Sequence, residues 1–150
     1  MQHLYHVRAL PTDRPIYIFG AGRGGECLFQ ALSAAGGYRI AGFIDLEKTG
    51  SLAGLPVVPT ADFVRTAPRD CQVVLASQHW PEVASTLALF GFAHVRNAYP
   101  LICRRLGIAD STWVRRCRER LLAAGIAGVL AASYALVVLG FVLIRAPVGS

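Results

Sequence analysis

The sequence has no Cys-x-x-Cys pair and no cysteine set at metal-ligand spacing from a histidine; its four cysteines, Cys27, Cys71, Cys103 and Cys117, lie far apart. A zinc ribbon, a dithiol redox motif and a disulfide framework are therefore not expected, and the thiols read as reduced cytosolic ones. Cys117 sits in an arginine run and reads either as a lipidated or redox-active thiol or as an ordinary small helix residue. The first fifteen residues, MQHLYHVRALPTDRP, lack an apolar run long enough for a signal peptide. Internal repeats and low-complexity tracts are also missing. No aromatic-rich basic face or nucleic-acid motif accompanies the net charge of +6, so DNA or RNA binding is not expected.

What the chain does have is apolar excess, with 54% hydrophobic residues and a mean hydropathy of +0.46 in 150 residues. The excess is local. Leu121 to Ile144 contains no charged side chain and is bounded by Arg120 and Arg145. As a helix this run would reach about 36 Å, against roughly 30 Å of bilayer hydrocarbon, which predicts a transmembrane span. Basic charge gathers beside it: Arg104, Arg105, Arg115, Arg116, Arg118 and Arg120 precede the run, and Arg145 alone follows it. The positive-inside bias then places the N-terminal part in the cytoplasm at the inner membrane and residues 145–150 outside. Arg115, Arg116, Arg118 and Arg120 would meet anionic lipid headgroups. Along the run, Ala123, Ala127, Gly128, Ala131 and Ala135 form a small-residue face, which suits either close helix packing with a membrane partner or plain contact with lipid.

Between an N-terminal extension (1–15) and a basic linker with a juxtamembrane helix (99–120), residues 16–98 alternate strand and helix patterns. Ile16 to Phe19 is a short β-branched run suited to a strand buried on both faces. Apolar residues from Cys27 to Ala35 recur at helical spacing and end at Gly36-Gly37. Tyr38 to Ile44 reads as the next strand, finishing at Asp45, and Leu46 to Leu55 as a loop. Pro56 to Val58, Cys71 to Ala76 and Ala93 to Arg96 are further strand candidates. Helices are expected over Asp62 to Thr66, capped by Thr60, and over Pro81 to Phe90. The fold class expected is α/β: a small Rossmann-like open parallel sheet of about five strands, plus the C-terminal helix.

Gly20-Ala21-Gly22-Arg23-Gly24-Gly25 matches G-x-G-x-x-G, with a strand before it, a helix after it and Asp45 at the end of the next strand. In such a turn Gly20 permits the tight bend, Gly22 lets a pyrophosphate approach the backbone, and Gly25 lets the helix pack closely. The ligand's charge would meet free N–H groups and the positive end of the helix dipole. Asp45 would accept hydrogen bonds from a ribose diol, favouring NAD over a 2′-phosphorylated cofactor. Arg23 either reaches a phosphate or stays solvated. Ser77 and His79 follow a strand where open sheets form their ligand crevice, so they join Gly20, Gly22, Arg23, Gly24, Gly25 and Asp45 as candidate cofactor-binding residues. His3 and His6 are weak metal candidates, and no metal is expected.

The stretches IYIFGAGRGGECLFQAL, YRIAGFIDLEKTGSLAGLPVV and VVLAS resemble the small N-terminal Rossmann domains of bacterial polysaccharide-biosynthesis proteins, the membrane-anchored nucleotide-sugar dehydratases and the sugar acetyltransferases. The resemblance covers about Ile16 to Ala98. It implies that the glycine turn and Asp45 contact NAD(H) or a nucleotide sugar. The Tyr-x-x-x-Lys pair of such dehydratases is missing, because Lys48 is the sole lysine and Ile44 stands four residues before it. The acetyltransferases' hexapeptide-repeat domain is missing as well. The expectation is a membrane-anchored, non-catalytic module that binds or senses its ligand and acts through a partner. An accessory subunit of a respiratory, photosynthetic or envelope-polysaccharide complex is the alternative, and an enzyme using His79 or Cys71 is a third reading.

Overall fold

The computed structural model describes residues 2–108. Within them the elements run β1 (Gln2–His3), a 3-10 turn (Val7–Ala9), β2 (Ile16–Phe19), α1 (Arg23–Ala35), β3 (Ile40–Asp45), β4 (Gly50–Leu52) and β5 (Leu55–Pro59), followed by α2 (Thr60–Thr66), β6 (Gln72–Leu75), α3 (Trp80–Leu89), β7 (Val95–Asn97) and α4 (Tyr99–Leu106). The strands form one sheet in the order β1-β7-β6-β2-β3-β5-β4. Every pair is parallel except β4 with β5. This is the Rossmann-like α/β architecture expected from the alternating pattern.

Strand periodicity decides which side chain faces which layer. Ile16, Ile18, Phe43, Val57 and Val74 point to one face, where they pack with Leu28 and Leu32 of α1 and with Leu101 and Ile102 of α4. Phe19, Ile44, Val73 and Leu75 point to the other, against Phe63 of α2 and Trp80, Val83 and Leu87 of α3. The central strands are mostly apolar because both faces are covered, with Gln72 at the start of β6 a buried polar exception.

From β2 the chain moves outward through β3 and β5, then returns across the sheet to β6 on the other side of β2. The carboxyl ends of β2 and β6 thus form the topological switch point, where open α/β sheets carry ligands.

The structure departs from the sequence reading in several places. The sheet has seven strands rather than about five. The N-terminal segment is part of the domain: β1 pairs with β7, the Leu4 N–H donates to the Asn97 carbonyl at 2.7 Å, and Leu4 and Leu10 are buried. A two-residue strand is too short for its periodicity to show. The loop read from Leu46 to Leu55 contains β4, which hairpins with β5 through Ala53 and Gly54, both at positive φ. Tyr99–Leu106 is helical and not a linker; Pro100 stands in the first turn of α4 and Gly107 closes it in the left-handed conformation. A proline in that place starts a helix because its missing N–H would have no partner there. Thr60 does not cap α2; its hydroxyl donates to the Asp45 carbonyl at 3.0 Å.

The expected span at 121–144, its small-residue face and the arginines Arg115, Arg116, Arg118, Arg120 and Arg145 lie outside the described residues, while Arg104 and Arg105 belong to α4. Among the described residues no helix is long and apolar enough to cross a membrane.

Candidate functional site

The chain leaves β2 through Gly20, whose φ of +107° lies in a region that side chains rarely adopt. α1 begins three residues later, with Gly22 as its N-cap and no side chain capping it. The first N–H groups of α1 therefore have no acceptor inside the helix and face the mouth of the turn.

The glycines have distinct duties. A Cβ on Gly25 would run into the Gly20 carbonyl oxygen, so this position must be bare for the turn to close on itself. A Cβ on Gly24 would stand 2.5 Å from the Ala76 carbonyl oxygen, which makes Gly24 the point of closest approach between α1 and the end of β6. A Cβ on Gly22 would meet only the Lys48 ammonium, at 4.0 Å. Gly22 is thus the one glycine of the turn whose bareness serves open space and not packing. That is what a site for an approaching phosphate requires.

Asp45, at the end of β3, lies beside this turn and is committed to it. Its Oδ2 accepts the Ala21 N–H at 2.8 Å, and its Oδ1 accepts the N–H groups of Glu47 and Lys48, each at 3.3 Å. Partial burial pushes the carboxyl up, but the Ala21, Glu47 and Lys48 N–H groups and the Lys48 charge outweigh it and hold the group below its ordinary value of 3.8. A carboxylate offers about four lone-pair positions, and three are filled from within. The Lys48 ammonium completes the arrangement by donating to the Ala21 carbonyl at 2.9 Å. Both backbone polar groups of one residue, Ala21, are held, the N–H by Asp45 at the end of β3 and the carbonyl by Lys48 in the loop that follows.

Beside the turn, on the α2 and α3 side, a cleft of about 260 Å³ is lined by Phe19, Leu46, Thr60, His79, Glu82, Val83, Thr86 and Leu87. Its walls are mainly apolar; Thr60 stands at the start of α2, His79 and Glu82 at the start of α3, and Thr86 further along α3. Ser77 abuts the turn, with its Cβ 3.8 Å from where a Gly20 Cβ would be, and its hydroxyl accepts the His79 N–H at 3.2 Å. His79 caps α3 and lies within 3.4 Å of the Gln78 amide nitrogen. Arg23 is exposed at the start of α1.

The residues picked from sequence are brought together at one end of the sheet, with Ser77 and the glycines at the turn and His79 in the cleft. Phe19, Leu46, Lys48, Thr60 and the α3 residues were missed. Lys48 had a visible signal as the sole lysine, three residues after the acid. The α3 residues had none, since only the fold turns them toward the loop after β3.

Cys71, left by the sequence as a nucleophile candidate, is fully buried, and burial pushes its thiol up to about 11. It stays protonated and unreactive at neutral pH. His3 is occupied elsewhere: its Nδ1 lies 3.0 Å from the Asn97 amide nitrogen, and its ring packs edge-on against Trp80. Among the described residues no group of three or more His, Cys, Asp or Glu could hold a metal ion.

A search of curated proteins gave no match. From the residue before β2 to the residue after β6, at residues 15–76, the chain matches the family model of the PglD N-terminal domain and is similar to it across the glycine turn, Asp45 and Lys48.

Proposed function

We propose that this chain is a non-catalytic module that binds a nucleoside-diphosphate sugar, anchored to the cytoplasmic membrane by residues 121–144 and acting through a membrane partner. The observation that carries this reading is the juxtaposition of an open Gly22 and the uncapped start of α1 with a cleft of about 260 Å³ at the switch point. The diphosphate would lie on the turn, met by first-turn N–H groups and the helix dipole. The base would enter the cleft between Leu46 and α3, and Thr60, His79 and Glu82 would supply its polar contacts.

One feature of the site favours a nucleotide sugar over NAD(H). Asp45, the residue that would hold an adenosine ribose diol, already accepts three N–H groups. The match to the PglD N-terminal domain and the resemblance to polysaccharide-biosynthesis proteins support the same ligand class. A non-catalytic role is favoured by the sealed Cys71 thiol and the missing Tyr-x-x-x-Lys pair.

Isothermal titration of the full chain in mild detergent with UDP-sugars, ADP-sugars, NAD and NADH tests the proposal. A sugar nucleotide should bind at one site, and Gly22→Val should remove that binding. No heat from either class of sugar nucleotide at millimolar concentration would refute it.

A further inference from the structure

The loop after β3 touches both halves of the proposed site, through Lys48 at the turn and Leu46 in the cleft. The Lys48 ammonium stands 4.0 Å from the place a Gly22 Cβ would occupy, over the open mouth of the turn. It is held there by a neutral group, the Ala21 carbonyl at 2.9 Å, which uses one of its three donors. The ion pairs among the described residues are Arg14–Asp13 and Arg65–Asp62, so Lys48 makes no close ion pair, although its charge is felt by the Asp45 carboxylate. Two residues earlier, Leu46 is 65% exposed and lines the cleft. Asp45 pins the base of the loop to Ala21.

We propose that Lys48 is the specificity-determining residue of this site, reading the charge of a ligand phosphate and holding the loop closed over the ligand, so that Leu46 covers the base. The inference rests on the nucleotide-binding function above and adds to it a selection rule. An ammonium pre-placed by a carbonyl and not in direct contact with a carboxylate gains a phosphate partner without first breaking a close ion pair, and its other donors can turn to the ligand. Nucleoside diphosphates and their esters are then accepted, and uncharged nucleosides gain little. The same contact would fix Leu46, because Asp45 and Lys48 tie both ends of the short Leu46-Glu47 segment to one residue, Ala21.

That Lys48 is the sole lysine makes the test direct. Biosynthetic ¹³C labelling of lysine gives one side-chain Cε signal, that of Lys48, with its N–H donors intact, and Lys48→Arg confirms the assignment by removing it. The probes are UDP and ADP, with uridine and adenosine as uncharged comparators, on the full chain in detergent. The expected result is a shift of the Lys48 signal with a diphosphate and not with its nucleoside. Lys48→Gln should weaken diphosphate binding at least tenfold, and Lys48→Arg should retain most of it. If calorimetry shows diphosphate binding while the Lys48 signal stays still and Lys48→Gln binds equally well, the role of Lys48 is overturned and the ligand class stands. If neither diphosphate binds, both readings fall.

Discussion

Gly24 and Asp45 show how single residues hold the glycine turn. Alanine at position 24 would gain helix propensity of up to about 1 kcal/mol, but its Cβ would stand 2.5 Å from a backbone oxygen of Ala76. A backbone atom at the end of a central strand does not yield as a side chain does, so the clash wins. Gly24→Ala should destabilise the domain by about 1–3 kcal/mol, read from chemical denaturation. Gly36 offers the contrast: its Cβ would meet nothing within 4 Å, and its φ of +70° alone demands glycine. At Asp45 the folded carboxyl is held below its ordinary value. The unfolded chain therefore takes up the proton first as pH falls, and the stabilisation is full above about pH 4 and lost through the lower folded value. Asp45→Asn should lower the melting temperature at neutral pH and flatten its fall on acidification. An unchanged acid slope would remove Asp45 from this role.

At the scale of elements, the hairpin of β4 and β5 carries a local conflict. Its two-residue turn has φ of +53° at Ala53 and +77° at Gly54, the signs of a type I′ turn. Alanine is a poor fit at that first position. Ala53→Asn should raise stability by about 0.5–1 kcal/mol in thermal unfolding, since asparagine tolerates the left-handed region. The same hairpin shows what local pattern conveys. The unit β2-α1-β3 was legible because Ile16–Phe19, the helical spacing of Leu28, Ala31 and Leu32, and the glycine turn all agree. β4 was not, because Gly50-Ser51-Leu52 has one apolar residue and gains its identity only from pairing with β5. β1 is a strand only because β7 offers it an edge. At the site, the glycines and Asp45 were legible as a motif. That Asp45 serves the turn before any ligand was not, because the Ala21 N–H lies 24 residues away in sequence.

For the whole molecule, among the described residues, both core layers are built from residues 4–106. The run from 121 to 144 is the part of the chain proposed above to have a separate task. If that task is anchoring, the full chain should pellet with membranes and resist alkaline carbonate extraction, while a chain ending at Ile108 should stay in the supernatant with a cooperative melt. Equal solubility of the two would remove the anchor. The central claim is that the turn from Gly20 to Gly25 is a working phosphate cradle and not only a packing device. Amide NMR of the ¹⁵N-labelled full chain, titrated with a UDP-sugar, tests it most directly. The account predicts that the Gly22, Arg23 and Gly24 amides shift together and saturate, with Leu46, Lys48 and Val83 following at the same midpoint. Resonances of the turn that stay fixed at millimolar ligand, or that move no more than those of Gly36 and Gly37, would contradict it.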